Sequence, residues 1–178
     1  LGDIGCSDQS AIPITDFKLI NDEHPAAHEA VFLCLEIVMT ATEKDRDILA
    51  RTLWGEARGE GTAGQIAVAW TIRNRVFDGR EKSWWGEGYA GVCQKPWQFS
   101  CWNKTDPNYQ FLIGVKQIPF RELAQCRIAA DQVIDGKVLD PTGGATHYYA
   151  TSIKAPAWAA KAKQTLKLGG HVFFRDVP

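Results

Sequence analysis

A chain of 178 residues falls within the size of one folding domain, and 45% hydrophobic with 23% charged residues is ordinary for a globular fold. A formal net charge of −1, with the basic residues scattered along the chain, speaks against a nucleic-acid partner. No apolar run reaches the roughly 20 residues that span a bilayer, and Asp3, Asp8 and Asp16 contradict the positive start of a secretory signal.

Residues 1–23 mix Gly, Asp, Ser and Pro without periodicity and are expected to form a loosely ordered arm, leaving residues 24–178 as one domain. Pro25 opens a helix whose Ala30, Val31, Cys34, Leu35 and Val38 form an inward stripe. Thr42 and Asp45 then stand at capping-box spacing, followed by Ile48, Leu49, Thr52, Leu53 and Glu56 on one helical side, before Gly59 and Gly61. Thr62 and Gln65 repeat that spacing and predict a further helix to about Val76. Residues 79–118, rich in Gly, Pro and Trp, read as a long irregular loop region with at most a short strand. Pro119 precedes a helix from Phe120 to about Ile134, stopped by Gly136, and the runs at 146–150 and 171–175 predict strands. The expected class is α+β, mostly helical, with a small antiparallel sheet.

None of the five cysteines forms a Cys-x-x-Cys pair. Cys93, Cys101 and Cys126 lie closer together in the chain and are candidates for one disulfide in an oxidising compartment. His24 and His28 have the spacing of a metal pair, but Pro25 stands where a zinc-protease motif needs Glu, so no metal site is expected.

The sharpest chemical signal is Trp54-Gly55-Glu56-Ala57-Arg58-Gly59-Glu60. It carries a carboxyl from an apolar helix face into a glycine turn, where a cleft can open and a general acid can meet a leaving group. The bland alternative is an ion pair of Glu56 with Arg58 or Arg73. Glu60, four residues on, is the second carboxyl that can face the same cleft. Trp84, Trp85, Trp97 and Trp102 are the candidates for sugar-stacking platforms, Trp102 foremost, although most tryptophans are core residues.

Several segments together resemble the cell wall hydrolases of the spore-cortex-lytic type (SleB/CwlJ-like). They are Leu49-Ala50-Arg51-Thr52 with Gly55 to Glu60, Gly64-Gln65-Ile66-Ala67-Val68-Ala69, Asn74-Arg75-Val76, Gln98-Phe99-Ser100-Cys101-Trp102-Asn103, Pro141 to Tyr149, and Gly170-His171-Val172-Phe173-Phe174. The resemblance runs in order from residue 49 to the end of the chain. It implies a lysozyme-like domain that cleaves peptidoglycan between N-acetylmuramic acid and N-acetylglucosamine, with Glu56 as the catalytic acid.

Enzymes of this kind often act as lytic transglycosylases, leaving 1,6-anhydromuramoyl ends, and need no second carboxylate. A hydrolytic muramidase would use a pair about 5 to 9.5 Å apart, with Glu60 as the second candidate. The resemblance also implies a substrate loop at Gln98, Phe99 and Ser100, whose glutamine amide is expected to hold an acetamido group. Of Tyr148 and Tyr149, which alternate across a strand, only one can face the cleft. Lytic transglycosylases often have serine after the catalytic glutamate; here it is Ala57, so hydroxyl assistance is expected from Ser100 or Thr146.

Two other classes remain at this stage: a cysteine peptidase with Cys101 as nucleophile and His147 as base, and a non-catalytic glycan-binding module. The expected protein is a monomer acting on the cell wall, on its periplasmic or extracellular side, without metal or organic cofactor. Lacking a recognisable signal, it reads as a phage endolysin or a processed secreted enzyme.

Overall fold

The structure, a computed structural model, describes residues 41–79 and 82–178. The expected N-terminal arm, the helix beginning at Pro25, Cys6, Cys34 and the His24/His28 pair lie outside the described residues.

Helix α1 (Glu43–Ala57) begins as its sequence predicts. The Asp45 N–H donates to Thr42 Oγ1 at 3.1 Å and the Thr42 N–H donates back to Asp45 Oδ2 at 2.9 Å, so two orphan donors of the first turn are satisfied reciprocally. The same Asp45 carboxylate accepts the Ala90 N–H at 2.8 Å and fastens α1 to a later segment.

Helix α2 (Gly61–Val76) follows after a short turn. Thr62 and Gln65 do not cap it, because the helix already starts at Gly61 with Glu60 in the N-cap position and no side-chain cap. Gly61 has φ +68°, a backbone shape in which glycine carries no steric penalty, and this moves the helix start one residue ahead of Thr62.

The expected loop region is built from short helical pieces instead of a strand: α3 (Lys82–Trp85), α4 (Gly88–Gln94), a 3-10 turn at Ser100–Trp102 and α5 (Tyr109–Leu112). Helix α6 (Phe120–Ile134) lies where its apolar spacing places it. Arg46 joins α1 to α6 through Asp131 at 2.9 Å and Asp135 at 2.6 Å. Arg73 of α2 donates to the Val133 and Ile134 carbonyls, which are among the last four of α6. Leu49, Leu53, Val68, Ile72, Val133 and Ile134 meet among these three helices with no exposed surface. Truncating any one of the leucines or isoleucines to alanine costs about 2–5 kcal/mol.

The sheet has three antiparallel strands, β1 (His147–Ala150), β2 (Lys163–Leu168) and β3 (His171–Arg175), in the order β1-β3-β2. Central β3 is almost wholly buried, and β2 is an edge strand with a register shift between Gln164 and Leu166. Phe173 and Tyr148 are directly paired and face the helical core, while Phe174 and Tyr149 form the opposite face beneath Trp158. Among the described residues no helix is long and apolar enough to cross a membrane.

Candidate active site

Glu56 sits in the last turn of α1, half-buried, with each carboxylate oxygen receiving one hydrogen bond. The Cys101 N–H donates to Oε1 at 3.3 Å and the Tyr148 hydroxyl donates to Oε2 at 3.1 Å. Both donors are neutral, and among the described residues Glu56 makes no ion pair. The alternative pairing with Arg58 or Arg73 is not formed. Arg58 lies 4.5 Å over the Trp54 ring and donates to the Trp54 carbonyl, whereas Arg73 is committed to the end of α6.

The close approach of the 3-10 turn to α1 depends on Gly55. A Cβ there would lie 2.6 Å from Cys101 Cβ and 2.9 Å from its sulfur, so a side chain would push the Cys101 N–H away from Glu56. The glycine preceding the glutamate therefore shapes the site.

Burial, and then the negative field of Glu56, hold the Tyr148 hydroxyl well above the ordinary phenol range, so it keeps its proton and acts as a donor. Its ring is fixed between His171, at 5.0 Å, and Phe173, at 5.7 Å. Tyr149 turns to the other face and stacks on Phe174 at 5.6 Å, away from Glu56.

Arg75 on α2 organises the surroundings and was not singled out by sequence reasoning, though it lies in a segment that carries the family resemblance. It is 7% exposed, with its guanidinium 4.8 Å from the Trp85 ring and 5.1 Å from the Phe99 ring. Its Nε donates to the Thr146 carbonyl at 2.6 Å and its Nη1 to Gln98 Oε1 at 2.9 Å. Burial lowers its pKa, opposed by the fields of Tyr148, Cys93 and Glu56.

Gln98 completes the arrangement by donating Nε2 to the Trp85 carbonyl at 2.7 Å. Each end of its amide thus makes one hydrogen bond inside the protein. Phe99 is 2% exposed, with the Arg75 guanidinium over its ring. Ser100 is exposed at the start of the 3-10 turn. Trp102 is half-buried, its Nε1 donating to Thr52 Oγ1 at 3.0 Å. Thr146 places its Oγ1 3.0 Å from His147 Nδ1.

Glu60 accepts the Gly170 N–H at 2.8 Å and stands 3.8 Å from His171 Nδ1, which anchors the β2–β3 turn to the start of α2. A Cβ on Gly170 would meet Glu60 Oε1 at 2.7 Å, so the turn glycine admits this contact. The Glu60 carboxylate is thus engaged by the β2–β3 turn.

The thiols fit neither a cysteine nucleophile nor a disulfide. Cys93, Cys101 and Cys126 are buried and unpaired. Burial, reinforced by the Glu56 charge, pushes the Cys101 thiol far up, opposite to the activation a nucleophile needs. His147 lies on the other face of β1 from Tyr148, between Trp85 and Trp158.

The Cell Wall Hydrolase family model matches residues 59–174, beginning just after Glu56. The spore cortex-lytic enzyme of Halalkalibacterium halodurans is 28% identical over 132 residues, covering 74% of this chain and 35% of that protein. The spore cortex-lytic enzyme of Bacillus cereus is 28% identical over the same length, covering 74% of this chain and 44% of that enzyme, so the chain spans less than half of these curated relatives. Among solved structures, the catalytic domain of the germination-specific lytic transglycosylase SleB from Bacillus anthracis matches with a TM-score of 0.58 at 28% identity, over 76% of this chain and 98% of that one. The catalytic domain of the Bacillus cereus SleB protein matches with the same TM-score at 27% identity, over 75% and 91%. The architecture is lysozyme-like, as the resemblance implied. The family match, the aligned catalytic domains and the helical frame with its small sheet agree: this chain belongs to the Cell Wall Hydrolase family.

Proposed function

We propose that the chain cleaves peptidoglycan glycan strands between N-acetylmuramic acid and N-acetylglucosamine as a lytic transglycosylase, with Glu56 as acid and then base. The observation that carries this reading is the half-buried Glu56 carboxyl at the end of an apolar helix face, whose two oxygens are held by neutral donors, Cys101 N–H and Tyr148 O–H. A carboxylate oxygen has two lone-pair positions, so each keeps one for chemistry while its hydrogen bond fixes its direction.

Protonated Glu56 gives its proton to the glycosidic oxygen as the bond from C1 of the muramoyl sugar breaks. The resulting carboxylate takes the proton of the C6 hydroxyl as that oxygen bonds to C1. Atoms balance without water, and a 1,6-anhydro ring closes the product. Tyr148 and the Cys101 amide steady the negative charge on Glu56 between the two transfers. The commitment of Glu60 to Gly170 favours this single-carboxyl route over hydrolysis by a carboxylate pair. The likeness to the Bacillus anthracis lytic transglycosylase domain supports the same route. The place of action that follows is the cell wall.

Mass spectrometry of soluble products from purified peptidoglycan tests the route. Anhydromuramoyl ends are expected. Reducing muramic ends would make the protein a muramidase, and cut stem peptides would overturn glycan cleavage altogether.

A further inference from the structure

Trp97 occupies a position that its own chemistry disfavours twice. It is the third residue of a tight turn closed by the Gln98 N–H on the Lys95 carbonyl at 3.2 Å, and it has φ +70°, the conformation that turns normally give to glycine or asparagine. Its side chain is 87% exposed and makes no ring contact among the described residues. A large aromatic residue there adds nothing to the core and carries backbone strain, which persists at sites of function more often than elsewhere.

The turn borders a cleft of about 400 Å³. Pro96, Trp97, Trp102, Asn103 and Lys104 are among the residues that line it. The Trp102 indole is fixed by its bond to Thr52, one helical turn before Glu56, and the preceding residue supplies the N–H to Glu56 itself. The cleft therefore abuts the turn that holds the carboxyl. Indole faces stack on the C–H faces of pyranose rings, and an asparagine amide offers both a donor and an acceptor to an acetamido group.

We infer that Trp97 and Trp102, with Asn103 in the same cleft, form a binding platform for the β-1,4-linked N-acetylated sugar strand beside the bond being cut. The inference rests on the glycan reading of Glu56 and adds to it a residue, Trp97, that holds substrate without taking part in the proton transfers.

The test uses the full chain carrying Glu56→Gln, to prevent turnover, titrated calorimetrically with chitohexaose as a probe. Adding Trp97→Ala is expected to weaken binding about five- to tenfold, the scale of one lost aromatic stack. Trp97→Gly is expected to weaken binding equally while raising Tm by about 2 to 4 °C, because glycine relieves the left-handed backbone. That opposite movement is one a packing residue would not show. Unchanged affinity in both variants, or a fall in Tm with glycine alongside unchanged affinity, overturns the platform. If chitohexaose does not bind while Trp97→Ala still releases glycan fragments from sacculi at the unmodified rate, the platform fails and the glycan reading stands. If the unmodified protein releases no glycan fragments, that reading fails and takes the platform with it.

Discussion

Arg75 Nε lies 2.6 Å from the Thr146 carbonyl oxygen, two residues before Tyr148. Through Gln98, the same guanidinium also holds the loop that leads to Cys101. One buried side chain thereby fixes both segments that supply hydrogen bonds to Glu56. Arg75→Met takes a donor from the Thr146 carbonyl and from the Gln98 amide oxygen and is expected to cost about 2–3 kcal/mol of stability. Turnover should fall further than stability explains, with Arg75→Lys recovering part of each. Urea unfolding and fragment-release rates on the same preparations provide the check.

Tyr148→Phe removes one hydroxyl and keeps the ring between His171 and Phe173. Since a hydrogen bond to a charged group contributes about 1.5–3 kcal/mol, kcat should fall about 10- to 100-fold. Tyr149→Phe, on the other face of the sheet, should leave kcat within about twofold. Equal losses in the two variants would mean that the Tyr148 hydroxyl has no special relation to Glu56.

The acid side of the stability profile should depend on Asp45. Burial raises its pKa, but the Ala90 N–H and the Thr42 hydroxyl and N–H outweigh burial and hold the carboxyl below its ordinary value. A folded-state pKa below the unfolded one contributes stability above about pH 4, lost as pH falls through the lower folded value. Asp45→Ala is therefore expected to lose about 1–2 kcal/mol at pH 7, with the difference from the unmodified protein closing below about pH 4. Thermal melts from pH 7 to pH 3 measure it. A constant gap would show that the Asp45 charge is irrelevant.

Thiol chemistry separates the glycosidase from a cysteine peptidase. Burial pushes Cys93 up to about 12 and Cys126 up to about 11, and Cys101 higher still, so none of the three is an activated thiolate at neutral pH. Iodoacetamide at pH 7 should leave cell-wall cleavage unchanged, with the three cysteines unmodified by peptide mapping. Loss of activity in step with Cys101 labelling would restore the nucleophile.

What could be read from the sequence divides along physical lines. Glu56 was visible because helical spacing puts it in line with Ile48, Leu49, Thr52 and Leu53, and α1 because Thr42 and Asp45 satisfy its first turn locally. Strand β2 was missed because Lys163-Gln164-Thr165-Leu166 is an exposed edge whose alternation is broken at Gln164/Leu166. The Cys101 donor is a backbone N–H, which any residue but proline carries, so side-chain chemistry does not announce it. The bond from Arg75 to Gln98 joins residues 23 apart in the chain, and no local spacing announces it. The spacing of Thr62 and Gln65 is a real capping pattern, displaced by a glycine that starts the helix sooner.

The central claim is that Glu56 moves the proton. Glu56→Gln keeps the size of the side chain and an acceptor oxygen for Tyr148 but cannot donate a carboxyl proton. Release of soluble fragments from purified sacculi by this variant is expected to fall about 10²- to 10⁴-fold, with far-ultraviolet circular dichroism and Tm close to those of the unmodified protein. A folded Glu56→Gln variant that releases the same fragments at the unmodified rate would contradict the account.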